Sequence, residues 1–201
     1  MNKGRADQRR HREYPDAWIQ TFTGRRMWVM EPHPDDVCIE DIAHALSMTC
    51  RFAGHSVQFY SVAEHSFIVG SKEGIHGLLH DAAEAYLLDI PRPYKDLLCF
   101  ALDGRIESYR DVEDRMMATI YEGLGLTHPT EEEAIRVKRA DQRVLATEKV
   151  QLMHEGHEWA LPEDAYDDVR LRFWDPTAAE QRFLEMYTTY RTGPRRERDN
   201  G

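Results

Sequence analysis

The chain is poor in cysteine, with Cys38, Cys50 and Cys99 as its complete set and no two of them in a CxxC spacing. That excludes a disulfide-stapled scaffold and a closed thiolate zinc site, and reads as reduced thiols in a cytoplasmic protein. Long apolar runs are missing too, and the N-terminus has no signal-peptide pattern, so a spanning segment is not expected and the partners exclude a membrane. Positive charge is in deficit: the formal net charge is -10. A protein so acidic is repelled by polyanions on average, which argues against nucleic acid as a partner. A small anionic substrate stays compatible if cations are focused at one place. Neither repeats nor low-complexity blocks occur.

What is present is helical periodicity. Met1 to Asp16 is polar and carries Arg5, Arg9, Arg10, His11 and Arg12, a flexible basic arm by composition. Residues 17–192 read as one domain, and 193–201 as a charged, disordered tail. Trp18 to Met30 alternates around Gly24, the signal of a short β-hairpin. Apolar spacing then predicts helices over Ile39–Phe52, Phe59–Ser71, Ile75–Leu88, Tyr94–Leu102 and Gly104–Leu124. Thr130 with Glu133 has capping-box spacing, opening a helix to about His154. Asp175-Pro176 opens the last one, to about Tyr190. The expected class is all-α with a small N-terminal β-hairpin.

Inside this pattern His80 and Asp81 stand side by side along the flank of an apolar face made by Ile75, Leu78, Leu79, Ala82, Ala83 and Tyr86. An ionised Asp in that position is costly unless a cation compensates it. Gly74 is a plausible stop for the preceding helix. If the chain folds back there, His65 lies about as far before the turn as His80 lies after it, and at ~1.5 Å rise per residue the two come level. Asp141 is an acid inside a helix, one turn before the inward Val144 and Leu145. It is either a fourth ligand or the partner of an Arg such as Arg136 or Arg143. Two imidazoles and two carboxylates suit Mn²⁺, Co²⁺, Fe²⁺, Ni²⁺ or Zn²⁺, and Mg²⁺ or Ca²⁺ less naturally. Four protein ligands on an octahedral ion leave two positions for water and a substrate oxygen, the arrangement of metal-assisted hydrolysis.

These residues resemble the HD-domain metal-dependent phosphohydrolase superfamily, whose pattern is His…His-Asp…Asp on a helical core. Ser61-Val62-Ala63-Glu64-His65-Ser66, Leu79-His80-Asp81-Ala82-Ala83-Glu84, and Ala140-Asp141 followed by Glu148 are similar to the motifs of its 5′-deoxynucleotidase branch. The block from Ile39 to Ser47, with Arg51-Phe52 and Phe59-Tyr60-Ser61, resembles a subgroup of bacteria and phages that includes deoxyadenosine triphosphate triphosphohydrolases. The interval between His65 and His80 is short compared with the general branch. The resemblance implies an HD-domain helical bundle with one divalent metal per site and a 2′-deoxynucleotide substrate that loses phosphate or triphosphate. It implies Glu84 as the base acting on water and Asp89 as a helper of the leaving group. It also implies that Arg51 and Phe52 contact phosphate and nucleoside, as the Arg-aromatic pair of that branch does. Lys95, His44 and His55 are further phosphate candidates, and Trp18 with Gln20 a wall of the base pocket. An alarmone or cyclic-nucleotide hydrolase, or a non-catalytic nucleotide-binding regulator, are the other readings. A homo-oligomer is expected.

Overall fold

Helix α2 is the element on which the others assemble. A computed structural model of the chain describes residues 13–193. The expected basic arm up to residue 12 and the tail from residue 194 lie outside the described residues. The order is β1 (Trp18–Gln20), β2 (Arg26–Trp28), α1 (Ile39–Met48), α2 (Val62–Leu78), α3 (Glu84–Leu87), α4 (Arg92–Lys95), β3 (Cys99–Leu102), β4 (Arg105–Ser108), α5 (Tyr109–Gly123), α6 (Glu131–Leu152) and α7 (Pro176–Thr192). The fold is mainly α, with a small N-terminal hairpin. No helix among the described residues is long and apolar enough to cross a membrane.

The first hairpin pairs Trp18 with Trp28 and Gln20 with Arg26. Its tip is tied to α1, because buried Asp41 accepts the Thr23 N–H at 2.6 Å and the Thr23 hydroxyl at 2.9 Å. Ser61 caps α2 by accepting the Glu64 N–H at 3.1 Å, so this helix starts at Val62 and not at Phe59. Thr130 and Glu133 form the full capping box at the head of α6, and Asp175 caps α7 with Pro176 at its first position.

Gly74 breaks α2 with φ +71° and ψ -151°, a conformation that favours glycine. The chain folds back there. A Cβ on Gly77 would lie 2.6 Å from the Val69 carbonyl, and one on Gly70 would lie 2.9 Å from the Leu78 Cβ. Two glycines thus let the two limbs approach closely. The returning limb ends at Leu78, whereas the periodicity predicts a helix running on to Leu88. The Gly77 carbonyl, which would take the Asp81 N–H in a continued helix, accepts the His80 Nδ1–H instead, at 2.8 Å. The next bonds are the tight i→i+3 type, from Ala82 N–H to Leu79 O and from Glu84 N–H to Asp81 O. His80 and Asp81 therefore sit on a tight turn.

Residues 99–108 also differ from the expected helices. They form a second antiparallel hairpin, pairing Leu102 with Arg105 across Asp103-Gly104. Both tip residues have positive φ, +48° and +79°. That is the geometry of a primed two-residue turn, which Asp-Gly favours. Helix α5 accordingly begins at Tyr109, capped by Ser108.

Two apolar clusters carry the fold. One joins the N-terminal hairpin, α1, α3, α5 and α7 through Met27, Ile42, Leu46, Leu87, Met116 and Phe183. The other lies between α2 and α6 through Tyr60, Ile68, Val69, Val137, Val144 and Leu152. A fully buried side chain of this kind contributes about 1.5–3 kcal/mol. Helix α2 feeds both clusters: Val62 and Ala63 enter the first, Ile68 and Val69 the second, and His65 stands between.

Candidate metal centre

The fold-back at Gly74 brings His65 and His80 together, with Nε2 atoms 3.2 Å apart. Their Nδ1 atoms are already committed. His65 Nδ1 donates to Glu148 Oε1 at 2.7 Å, and His80 Nδ1 donates to the Gly77 carbonyl at 2.8 Å. A carbonyl and a carboxylate only accept, so each ring is fixed with its Nε2 lone pair turned inward. Asp81 Oδ2 lies 3.5 Å from His65 Nε2 and 3.2 Å from His80 Nε2. Asp141 Oδ1 comes from α6 to 3.4 Å and 3.8 Å of the same two atoms. His65, His80 and Asp141 each offer a ligand atom, all within 4.8 Å of one another.

Donors about 2.1 Å from one shared ion stand roughly 3.0–3.4 Å apart, close to these separations. Two inward lone pairs and two carboxylates repel unless a positive charge lies between them. The donor set therefore fits a divalent cation. Without one, protons take its place. Burial disfavours charge on His80, but Asp81 and then Asp141 outweigh it and push its pKa up to about 10. His65 is raised too, against burial and the nearby Arg51, by Glu148 and Asp141. Burial alone would raise Asp81 and Asp141, yet the two histidines hold both well below the usual carboxylate range. Asp141 has its own cation in Lys138, 2.7 Å away on the same helix. The arginines weighed as its alternative partners go elsewhere, Arg136 to Glu73 and Glu132 and Arg143 to the Asp164 carbonyl.

Arg51 is buried behind this cluster. Its guanidinium is 3.2 Å from Glu148 and 3.6 Å from Asp81. Burial opposes its charge, but Glu148, then Asp89, Asp81 and Glu84, more than offset that and raise its pKa. Its Nε has no hydrogen-bond partner among the described residues. Arg51 opens a turn in which Phe52 and Ala53 both take positive φ, +56° and +50°. Each left-handed non-glycine residue costs roughly 1–2 kcal/mol. The turn holds the Phe52 ring 5.4 Å from the guanidinium.

Glu84 is almost fully buried. Its Oε1 accepts from Lys95 Nζ at 3.0 Å, and its Oε2 has no partner among the described residues. Burial first, then Asp81 and Asp89, raise its pKa well above the usual range. Lys95 also donates to Glu113 at 2.7 Å, so it is held between two carboxylates. Asp89, past the end of α3, is part-buried and close enough for its charge to act on Arg51 and Glu84.

Other expected site residues have local contacts of their own. His44 bonds to Glu180 of α7 at 2.9 Å and stacks on Phe22 of the hairpin tip at 3.7 Å. Trp18 packs against Trp28 and under the Arg26 guanidinium, and Gln20 is exposed at the end of β1. His55 is exposed just after the Arg51–Gly54 turn. His76 is part-buried and bonds to the Tyr121 hydroxyl at 3.1 Å.

Two acids have structural duties that the spacing did not reveal. Glu148 bridges His65 and Arg51 while fully buried. Burial alone would raise its pKa, and Arg51 with His65 brings it below the usual range instead. Glu64, also fully buried, accepts the backbone N–H groups of Arg172, Phe173 and Trp174 at 2.6, 3.1 and 2.8 Å. Its neighbour in sequence is His65, so it fixes the leader of α7 against α2 beside that histidine.

Over 152 residues the chain is 39% identical to protein YfdR of Escherichia coli (strain K12), described as uncharacterized; the match covers 73% of this chain and 79% of that one. The chain belongs to the YfdR family. A second relative, RCAP_rcc00048 of Rhodobacter capsulatus, also described as uncharacterized, is 36% identical over 123 residues, covering 55% of this chain and 59% of its own length. No family model matches the chain. The YfdR match supplies a lineage without a chemistry, so the chemistry rests on the side chains above.

Proposed function

We propose that this member of the YfdR family is a metal-dependent phosphohydrolase of the HD type whose substrate is a 2′-deoxynucleotide. The observation that carries the reading is the convergence of His65 Nε2, His80 Nε2, Asp81 Oδ2 and Asp141 Oδ1, with both Nδ1 atoms anchored behind them. Those four residues would hold the cation. When bound, a divalent ion lowers the pKa of water and polarises a phosphoryl oxygen.

The chain's own groups supply the rest. Glu84 Oε2, unpaired and close to Asp81, is the acceptor for the proton of the attacking water. Lys95 holds the other oxygen, so the carboxylate keeps one orientation. Arg51 contributes positive charge near the phosphate from its place behind Asp81. Asp89 is the nearby acid for the leaving oxygen.

The test is phosphate or triphosphate release from a panel of dAMP, dATP, dGTP and ribonucleotides with added Mn²⁺ or Co²⁺. Turnover is expected with deoxynucleotides. Nucleotide binding without turnover under every metal would replace the enzyme with a regulator. Glu84→Gln should retain the metal and lower kcat by about 10²–10⁴-fold. An unchanged kcat would remove Glu84 from its role.

Metal affinity should rise with pH. In the metal-free protein His80 holds its proton up to a pKa of about 10, so at neutral pH a proton occupies the inward Nε2. An ion must displace it, and affinity gains roughly tenfold per pH unit for each proton released. Calorimetry of Mn²⁺ binding to chelator-treated protein, repeated in buffers of different ionisation enthalpy, counts these protons. Release of none between pH 6.5 and 8.5 would contradict the assignment of His80 as a ligand.

A further inference from the structure

The segment between α6 and α7 carries a residue that the phosphohydrolase reading leaves unused. His154 to Glu158 and Ala160 are exposed, yet Trp159 among them is part-buried. Its ring lies 6.0 Å from the Phe52 ring at an interplanar angle of 57°. The contact follows from the fold. Val57 N–H bonds to the Leu152 carbonyl at 2.9 Å, which brings the chain after Phe52 against the end of α6, where the segment begins. The far end of the segment is fixed back on α6, by Arg139 on Glu163 at 3.0 Å and by Tyr166 N–H on the Thr147 hydroxyl at 2.9 Å. Trp159 is thus presented from a tethered loop to the aromatic neighbour of the buried arginine.

We propose that Trp159, together with Phe52, forms the wall on which the planar base of the substrate stacks, which makes Trp159 a base-binding residue. The inference deepens the phosphohydrolase reading and rests on it. A line of contacts runs from the metal ligands outward: Asp81 to the Arg51 guanidinium, the guanidinium to the Phe52 ring, and that ring to Trp159. The phosphate end of a nucleotide belongs at the first of these and its base at the last. Phe52 and Ala53 take consecutive left-handed conformations to hold the ring there, and strain of this kind collects at ligand sites. The 57° tilt is not a parallel stack of the two rings. A π-face of this kind accepts any base, with preference set by stacking strength. The ligand class is therefore an aromatic base joined to an anionic phosphate.

The experiment compares wild type, Trp159→Ala and Trp159→Phe in Mn²⁺. KM and kcat are measured for dAMP and dATP, and Ki for 2-deoxyribose 5-phosphate and inorganic triphosphate, which carry the anion without the base. In Trp159→Ala the nucleotide KM should rise at least about fivefold with kcat unchanged. Trp159→Phe should return it to within about twofold, and both Ki values should stay as in wild type. An unchanged nucleotide KM, or a parallel rise in the base-free Ki values, would overturn the proposal. If the wild type turns over no nucleotide, the phosphohydrolase reading fails by itself. The stacking inference is then decided by quenching of tryptophan fluorescence on adding dATP. Quenching in wild type that is lost in Trp159→Phe supports it; equal quenching in both, or none, sinks it.

Discussion

Asp81→Ala is expected to lose bound metal and turnover together. Asp81 Oδ2 is 3.2 and 3.5 Å from the two inward imidazole nitrogens. Its removal takes away one donor and one negative charge while His65, His80 and Asp141 remain. The depressed pKa of Asp81 shows how strongly its anion is favoured beside the histidines, an attraction that a cation at the same point would share. Displacing a supporting residue typically costs 10–100-fold in metal affinity, and losing a ligand itself should cost more. We therefore expect metal content below about a tenth of wild type after desalting, and phosphate release at background. Asp81→Asn keeps an oxygen but loses the charge, and should fall between. Far-UV circular dichroism should be unchanged, because Asp81 lies on a turn at the site rim and not in either apolar cluster. A metal-free Asp81→Ala protein with wild-type turnover would dismantle the assignment.

Arg51→Ala should be the most destabilising change at the site. Glu148 is fully buried and bonded to Arg51 and His65. Removing one partner of a buried ion pair costs about 3–5 kcal/mol, since the other charge is left uncompensated. For a chain of this size that is a fall of roughly 10 °C in Tm. Its sign against pH is a second check. The Glu148 pKa is depressed in the folded protein, so its contribution is present above the ordinary Glu value of about 4.3 and is lost as pH falls through the folded value. Much of that depression comes from Arg51. The stability gap between wild type and variant should therefore narrow below about pH 4.3. A gap that stays constant on acidification would mean that Arg51 acts by packing and not by charge.

Several of these features were legible in the chain itself, and the exceptions have physical causes. The approach of His65 to His80 follows from one glycine at which the helix stops and the chain folds back, although the returning limb is short and His80 lies on the tight turn after it. Asp141 stood out because an acid inside a helix needs a partner. The hairpin over 99–108 was equally visible, since Asp103-Gly104 between alternating Phe100, Leu102 and Ile106 is a strong turn signal. The helical spacing of the same apolar residues outweighed it. Lys95 looked like a free cation because its partner Glu113 arrives from α5, eighteen residues away. Glu148 shares a face of α6 with Asp141 two turns earlier and carries part of the family resemblance, but its bridge to Arg51 depends on the fold. Glu64 was beyond reach: its partners are main-chain N–H groups more than a hundred positions downstream, and no side-chain pattern marks them.

That last contact bears on how the protein is made. Glu64 leaves the ribosome 108 residues ahead of the first amide that binds it. Until then its carboxylate must stay hydrated, because burial without those amides would carry the desolvation cost unrelieved. The helix with His65 cannot settle into its final packing before the leader of α7 has been synthesised. Competence to take up metal should therefore arrive as a late event of synthesis, and nascent chains arrested before Trp174 should not acquire it.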